Sequence, residues 1–321
     1  MKPDSLFEWT IFAVVVVGGL VADLILARTG RLPTYRSALA RSAAWIGIAL
    51  LFGAWIAFQR DGEASVTYLT AYLLEKSLSV DNLFLFVLIF AQTGIPPALQ
   101  HRALFWGVIG ALAMRAVMIA LGVYLLDRFH WVIYPFAALL LFSAWRMLFG
   151  KEEEKKLVEA SCAICTSWVG RIIPIRPFTE GDAFLVRQGG RTLATPLLVA
   201  LVVIETTDLV FALDSIPAVL AVTRDPFIVY TSNVFALLGL RSLYFVLSNA
   251  IRDLRYLRPG LAVMLVFVAA KMLVGDTFHV PALASLAVIA GIFGTAIAAS
   301  WLFPRSARNE ATTNSDRVRS K

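Results

Sequence analysis

Charge is scarce in this sequence. Asp, Glu, Lys and Arg make up 16% of its 321 residues, against about a quarter in an ordinary soluble domain. So few charges cannot coat a water-facing surface. That argues against a soluble enzyme or a nucleic-acid binder, and a chain this apolar is not disordered. Cysteine is scarcer still, and two residues cannot build a disulfide framework. The phosphate-loop pattern G-x-x-x-x-G-K-[ST] is missing, so no ATP-driven step is expected within the chain. What is abundant is hydrocarbon: 59% of residues are hydrophobic and the mean hydropathy is +0.76.

A helix crosses a bilayer core with about 20 apolar residues. Nine runs qualify: 6–26, 42–58, 66–91, 103–126, 131–149, 193–221, 227–247, 260–274 and 281–303. The expected fold is all-α, a polytopic membrane protein of about nine transmembrane helices within residues 1–303. The positive charges Arg28 and Arg31 follow the first run and only Lys2 precedes it, so it reads as a span rather than a cleaved leader. Alternate loops differ in basic content. One set, with the loop 150–192 and the tail 304–321, holds twenty Lys and Arg; the other holds only Lys2, Arg60, Arg128 and Arg224. Positive charge marks the cytoplasmic side. The N-terminus is therefore expected outside and the C-terminus in the cytoplasm. The basic tail reads as disordered. In the cytoplasmic loop, the charged run from Lys151 to Lys156 reads as a helix start, and residues 183–195 around Gly189-Gly190 as a hairpin.

Spans three to five resemble spans six to eight. Glu75-Lys-Ser-Leu-Ser-Val-Asp81-Asn82 aligns with Asp208-Leu-Val-Phe-Ala-Leu-Asp214-Ser215. Ala113-Met-Arg115 aligns with Gly239-Leu-Arg241, and the segment containing Arg146 with the one containing Lys271. A unit of three spans repeated once must be inverted, an arrangement that places transporter sites at the repeat interface.

Five carboxylates fall within spans: Glu75, Asp81, Glu205, Asp208 and Asp214. Each costs about 2.5–3.5 kcal/mol at a helix centre, which packing alone does not justify. Two readings stand beside each other, a cation or proton pathway and internal pairing with Lys76, Arg115, Arg241 and Lys271. Glu205 and Asp208 lie about 60° apart on one helix face. Pro217 should kink or break the sixth span and free carbonyl oxygens near Asp214. With Asn82, Ser79, Ser215 and Asn233 as neutral oxygens, the ligand types suit a hard cation such as Mg²⁺, Ca²⁺ or Mn²⁺. No cysteine lies within a span, and the three histidines fall near loop edges, so Zn²⁺ and Cu⁺ rank lower. Cys162 and Cys165 form a lone C-x-x-C in the cytoplasmic loop, with no second pair to complete a metal site.

The segments around Glu75–Asn82, from Glu205 to Ala218 and from Asp225 to Phe245 resemble the signatures of the TerC family, in its Alx-like branch. The resemblance implies a bacterial inner-membrane protein of metal-ion homeostasis, linked to manganese export, alkaline-pH response and tellurium resistance, with Alx-like members labelled redox modulators. It implies metal handling by Glu75, Asp81, Asp208 and Asp214, with Asn82 and Glu205 as neighbours. The expected role is a secondary transporter rather than an enzyme. It would have no resident cofactor. Its partners would be the lipid bilayer and a transported divalent ion, Mn²⁺ first, with no nucleic acid. A membrane redox modulator and a stress-response protein without transport are the alternatives.

Overall fold

The protein is described here from a computed structural model covering residues 3–27, 34–175, 183–247, 256–275 and 280–302. Two helices, α1 (Pro3–Ala27) and α2 (Tyr35–Gln59), lead into two long ones, α3 (Gly62–Thr93) and α4 (Pro97–Arg128). A single 3-10 turn precedes α5 (Ile133–Phe149), and α6 (Lys151–Ile172) follows at once. The strands β1 (Leu185–Gln188) and β2 (Arg191–Ala194) form an antiparallel hairpin. Then come α7 (Pro196–Leu220), α8 (Pro226–Leu238), α9 (Leu240–Leu247), α10 (Leu257–Val274) and α11 (Ala282–Leu302).

The ends of these helices are written locally. Asp61 caps α3 by accepting from the Ala64 backbone N–H at 2.6 Å, and Gly94, at φ 65°, closes it in the left-handed region. Asp225 caps α8 through Phe227 and Ile228, with Pro226 in the first turn. Gly189 and Gly190 both take positive φ, as a tight hairpin turn requires. The expected hairpin and the helix at Lys151 are both present.

Among the described residues, seven helical stretches are long and apolar enough to cross a membrane, including the run Pro226–Val246 across α8 and α9. Two of the nine expected spans fall outside that set. In α1 the apolar stretch is shorter, Leu6–Ala22. The 32-residue α3 carries Glu75, Lys76 and Asp81 in its interior. The fold is a mostly helical, polytopic membrane protein. Its polarity is reversed relative to a soluble domain: Val14, Leu51, Val117, Phe142 and Trp301 are exposed, while Arg115 is the largest fully buried side chain. Hydrocarbon-facing surface accounts for the first set, and mutual pairing in the interior for the second.

The buried α3 contacts α2, α7, α8 and α11; α4 packs on α7, and α5 on α10. The loop helix α6 lies against α7 and α3. At the other end of the bundle, Arg60 donates to both carboxylate oxygens of Glu8 and to Asp225, joining α1, α2 and α8. These bonds, Glu8 first, hold the guanidinium in its charged form.

One expectation is corrected. The sixth span, α7, runs unbroken through Pro217 to Leu220. Pro217 lies in the last turn, so the bond that its missing N–H would make to the Leu213 carbonyl is lost only three residues before the helix ends at Leu220. The irregular backbone lies in the seventh span, where Gly239 separates α8 from α9. The tail 304–321, His279 and the Arg241 side chain lie outside the described residues.

Candidate functional site

Antiparallel α3 and α7 bring their acids together at the middle of the bundle. A small cavity is lined there by Glu75, Asp81, Asn82, Arg115, Arg146 and Asp214, among others. Glu75 and Arg115 are essentially sealed from solvent, and Asp81, Asn82 and Asp208 are buried.

Arg115, on α4, organises the centre. Its Nη1 donates to Glu75 Oε2 at 2.8 Å, to Asn233 Oδ1 at 2.9 Å and to Ser215 Oγ at 3.3 Å. Its Nε and Nη2 donate to the two carboxylate oxygens of Asp208, both at 3.4 Å. The outer acids have their own partners. Arg258 Nε donates to Asp81 Oδ1 at 3.0 Å and stacks its guanidinium over Phe84. Arg146 Nη2 donates to Asp214 Oδ2 at 3.4 Å. Four carboxylates thus meet three guanidiniums, a formal excess of one negative charge. Some polar atoms there are unmatched: Glu75 Oε1, Ser79 Oγ and Arg146 Nε are buried without a hydrogen-bond partner. Such groups are costly in a low-dielectric interior.

Of the six residues expected to handle metal, Glu75, Asp81, Asn82 and Asp214 line this cavity. Asp208 reaches it through Arg115 and itself lines a second, narrow groove with Asn82, Gly107 and Ile204. Glu205 stands apart, partly exposed, with its carboxylate over Gly110 of α4; a Cβ there would meet Oε1 at 2.0 Å. Among the described residues, no three His, Cys, Asp or Glu side chains converge as a ready metal site. The acids are instead paired with Arg115, Arg146 and Arg258.

The expected partners fare unevenly. Arg115 is the central pair. Lys76 turns to the carbonyl of Ala236, at 3.2 Å, just before the break at Gly239. A regular helix would use that carbonyl itself, so the break frees it for the ammonium. Lys271 makes no ion pair among the described residues; it sits in the last turn of α10, partly exposed. Sequence reasoning missed Arg146 and Arg258 as partners. The only signal for Arg146 was its place in the repeat; Arg258 looked like one loop charge among many.

The thiols occupy a different place. Cys165 is buried on α6, its Sγ 3.8 Å from Thr206 Oγ1 of α7, and Cys162 is half-buried one turn away. Burial first, and then the neighbouring Cys165, push the Cys162 thiol up. A raised thiol is a poor nucleophile at neutral pH.

Fold and site together define a polytopic helical membrane protein with a charged, ion-paired interior. The chain belongs to the TerC family of integral membrane proteins, whose family model matches residues 60–308. It is 45% identical over 300 residues to an uncharacterized membrane protein of Myxococcus xanthus, covering 93% of each chain. It is 42% identical to a Salmonella typhi protein named, provisionally, membrane-bound redox modulator Alx, over 88% of this chain and 90% of the relative. An uncharacterized membrane protein of Rickettsia bellii is 35% identical, over 90% of this chain and 97% of its own. No solved structure matches the chain.

Proposed function

We propose that the protein is a secondary transporter, not an enzyme, that exports a divalent metal ion, Mn²⁺ first, through the central carboxylate cavity, coupled to proton exchange. The observation that carries this reading is Glu75. It lines the cavity, is wholly buried, and keeps Oε1 without a partner. An uncompensated carboxylate oxygen at that depth is the kind of group that marks an ion path. Apart from its arginines and the Met147 thioether, the polar side chains lining the cavity, Glu75, Ser79, Asp81, Asn82, Asp214 and Ser215, offer oxygen ligands, and these suit a hard cation. Carboxylates exchange protons for metal, which makes the coupling natural.

The architecture belongs to the proposal. Nine spans, an outside N-terminus and a cytoplasmic C-terminus in the bacterial inner membrane are the arrangement that the loop charges and the family support. The folding unit is the membrane domain 1–303, with 150–192 on the cytoplasmic face. An inverted repeat is supported by packing. Exchanging α3, α4 and α5 for α7, α8 and α10 converts the α3–α8 contact into α7–α4, and leaves α3–α7 and α5–α10 unchanged; all four contacts occur. The outer ion pairs obey the same exchange at the level of helices, α10 to α3 and α5 to α7.

Radioactive ⁵⁴Mn²⁺ flux into everted vesicles, with and without a pH gradient, tests the proposal. Accumulation that depends on the protein and collapses with the gradient is expected. Equal flux in vesicles lacking the protein would sink it. The redox reading draws no support from the thiols, because neither is exposed and Cys162 is shifted away from its reactive form.

A further inference from the structure

Every acceptor gathered around the Arg115 guanidinium is an oxygen atom. Glu75 Oε2, both oxygens of Asp208, Ser215 Oγ and Asn233 Oδ1 lie 2.8–3.4 Å from its nitrogens. They come from four separate contributions on α3, α7 and α8. Two anionic and two neutral side chains converging on one point is also the donor set that a hard divalent cation takes. The guanidinium fills it with one positive charge where such a cation would bring two.

The same side chain stands between two spaces. On one side is the central cavity, which Arg115 lines together with Glu75. On the other is the groove lined by Asp208. That groove is formed toward the end of the bundle that carries α6 and the hairpin, because its residues come from the last part of α3 and the first parts of α4 and α7. Asn82 lines both spaces. Arg115 binds an acid of each, and is 1% exposed. The Arg115 guanidinium thus bridges an acid of the groove and an acid of the cavity.

We infer that Arg115 is a tethered stand-in for the transported cation. It neutralises Glu75 and Asp208 in the resting protein and closes the passage between groove and cavity. A hard divalent cation entering the shell displaces it, and its return expels the cation and reseals the path. This rests on the transport reading above. It names the residue that gates that site. Arg suits the role because its planar fork engages two carboxylates at once and it does not lose its charge. The tether keeps its local concentration high, so a free cation competes against an intramolecular rival.

The test uses the purified full chain in detergent and Mn²⁺ titration by calorimetry. Wild type should bind Mn²⁺. Arg115→Ala should bind it about tenfold more tightly or better, having lost the rival. Millimolar methylguanidinium should then weaken Mn²⁺ binding to Arg115→Ala several-fold and leave wild type unchanged, since the wild-type shell already holds a guanidinium. A merely structural arginine predicts no such competition. A folded Arg115→Ala protein with wild-type affinity and no response to methylguanidinium overturns the inference. Absence of Mn²⁺ binding by folded wild type overturns the transport reading, and this inference with it. Should Arg115→Ala fail to fold, Arg115→Ala combined with Glu75→Gln preserves the formal charge of the trio, and the same competition is read on it.

Discussion

Arg115 Nη1 and Glu75 Oε2 meet at 2.8 Å with each side chain only 1% exposed, although 40 residues separate them in the chain. A pair this deep is poor evidence of net stabilisation, because desolvation offsets much of the attraction. Its significance is positional. It pins α4 to α3 at the level where the cavity and the groove meet.

Breaking that pair should destabilise the fold. In Glu75→Gln the guanidinium keeps Asp208 but loses its shortest carboxylate contact. Removing one partner of a buried pair costs about 3–5 kcal/mol, and the remaining acid should hold the loss to the lower end. Thermal unfolding in detergent measures it. A midpoint unchanged from wild type would show that Glu75 is not charged in the folded protein.

Asp81→Asn and Asp214→Asn should each abolish metal efflux while the protein still reaches the membrane. The amide preserves size and removes the charge that faces Arg258 or Arg146. Manganese tolerance of cells expressing each variant, alongside quantitation of the membrane fraction, reads the outcome. Wild-type tolerance in both variants would remove these acids from the path.

Gly260 marks a close approach of α10 to α11. A Cβ added there would lie 2.6 Å from the Cβ of Ala296, an atom fixed to its own backbone. Small residues permit such close contact between membrane helices. Gly260→Val should cost about 1–3 kcal/mol through overpacking, visible as a lower unfolding midpoint. Gly291→Val, in open space on α11, should cost much less.

The thiols should be sluggish. Burial raises the Cys162 thiol, so the reactive thiolate forms at higher pH than in a free cysteine, and less of it exists at neutral pH. Iodoacetamide labelling of folded protein should therefore lag behind that of denatured protein, and the gap should narrow as pH rises. A variant with both cysteines changed to serine should keep its metal flux. Loss of flux in that variant would revive a redox role.

The sequence alone determined the class of protein and the residues worth watching. Residue hydropathy and turn chemistry are local properties, so most spans and the Gly-Gly hairpin could be read directly. Carboxylates inside apolar runs stand out because their cost is the same wherever the helix goes. Pairing is different. Arg146 finds Asp214 across 68 residues and Arg258 finds Asp81 across 177, and helical periodicity constrains only the face of a residue's own helix. Which guanidinium meets which carboxylate depends on how α5 and α10 are seated against α3 and α7, which is decided by packing. The same holds for the broken helix. Pro217 carries the stronger local signal, yet at the last turn of α7 it disrupts little. Gly239 carries a weaker one, but the Lys76 ammonium lies against it and takes the carbonyl that the break releases. The interruption is accompanied by a contact between residues 160 positions apart, and only the tertiary structure brings them together.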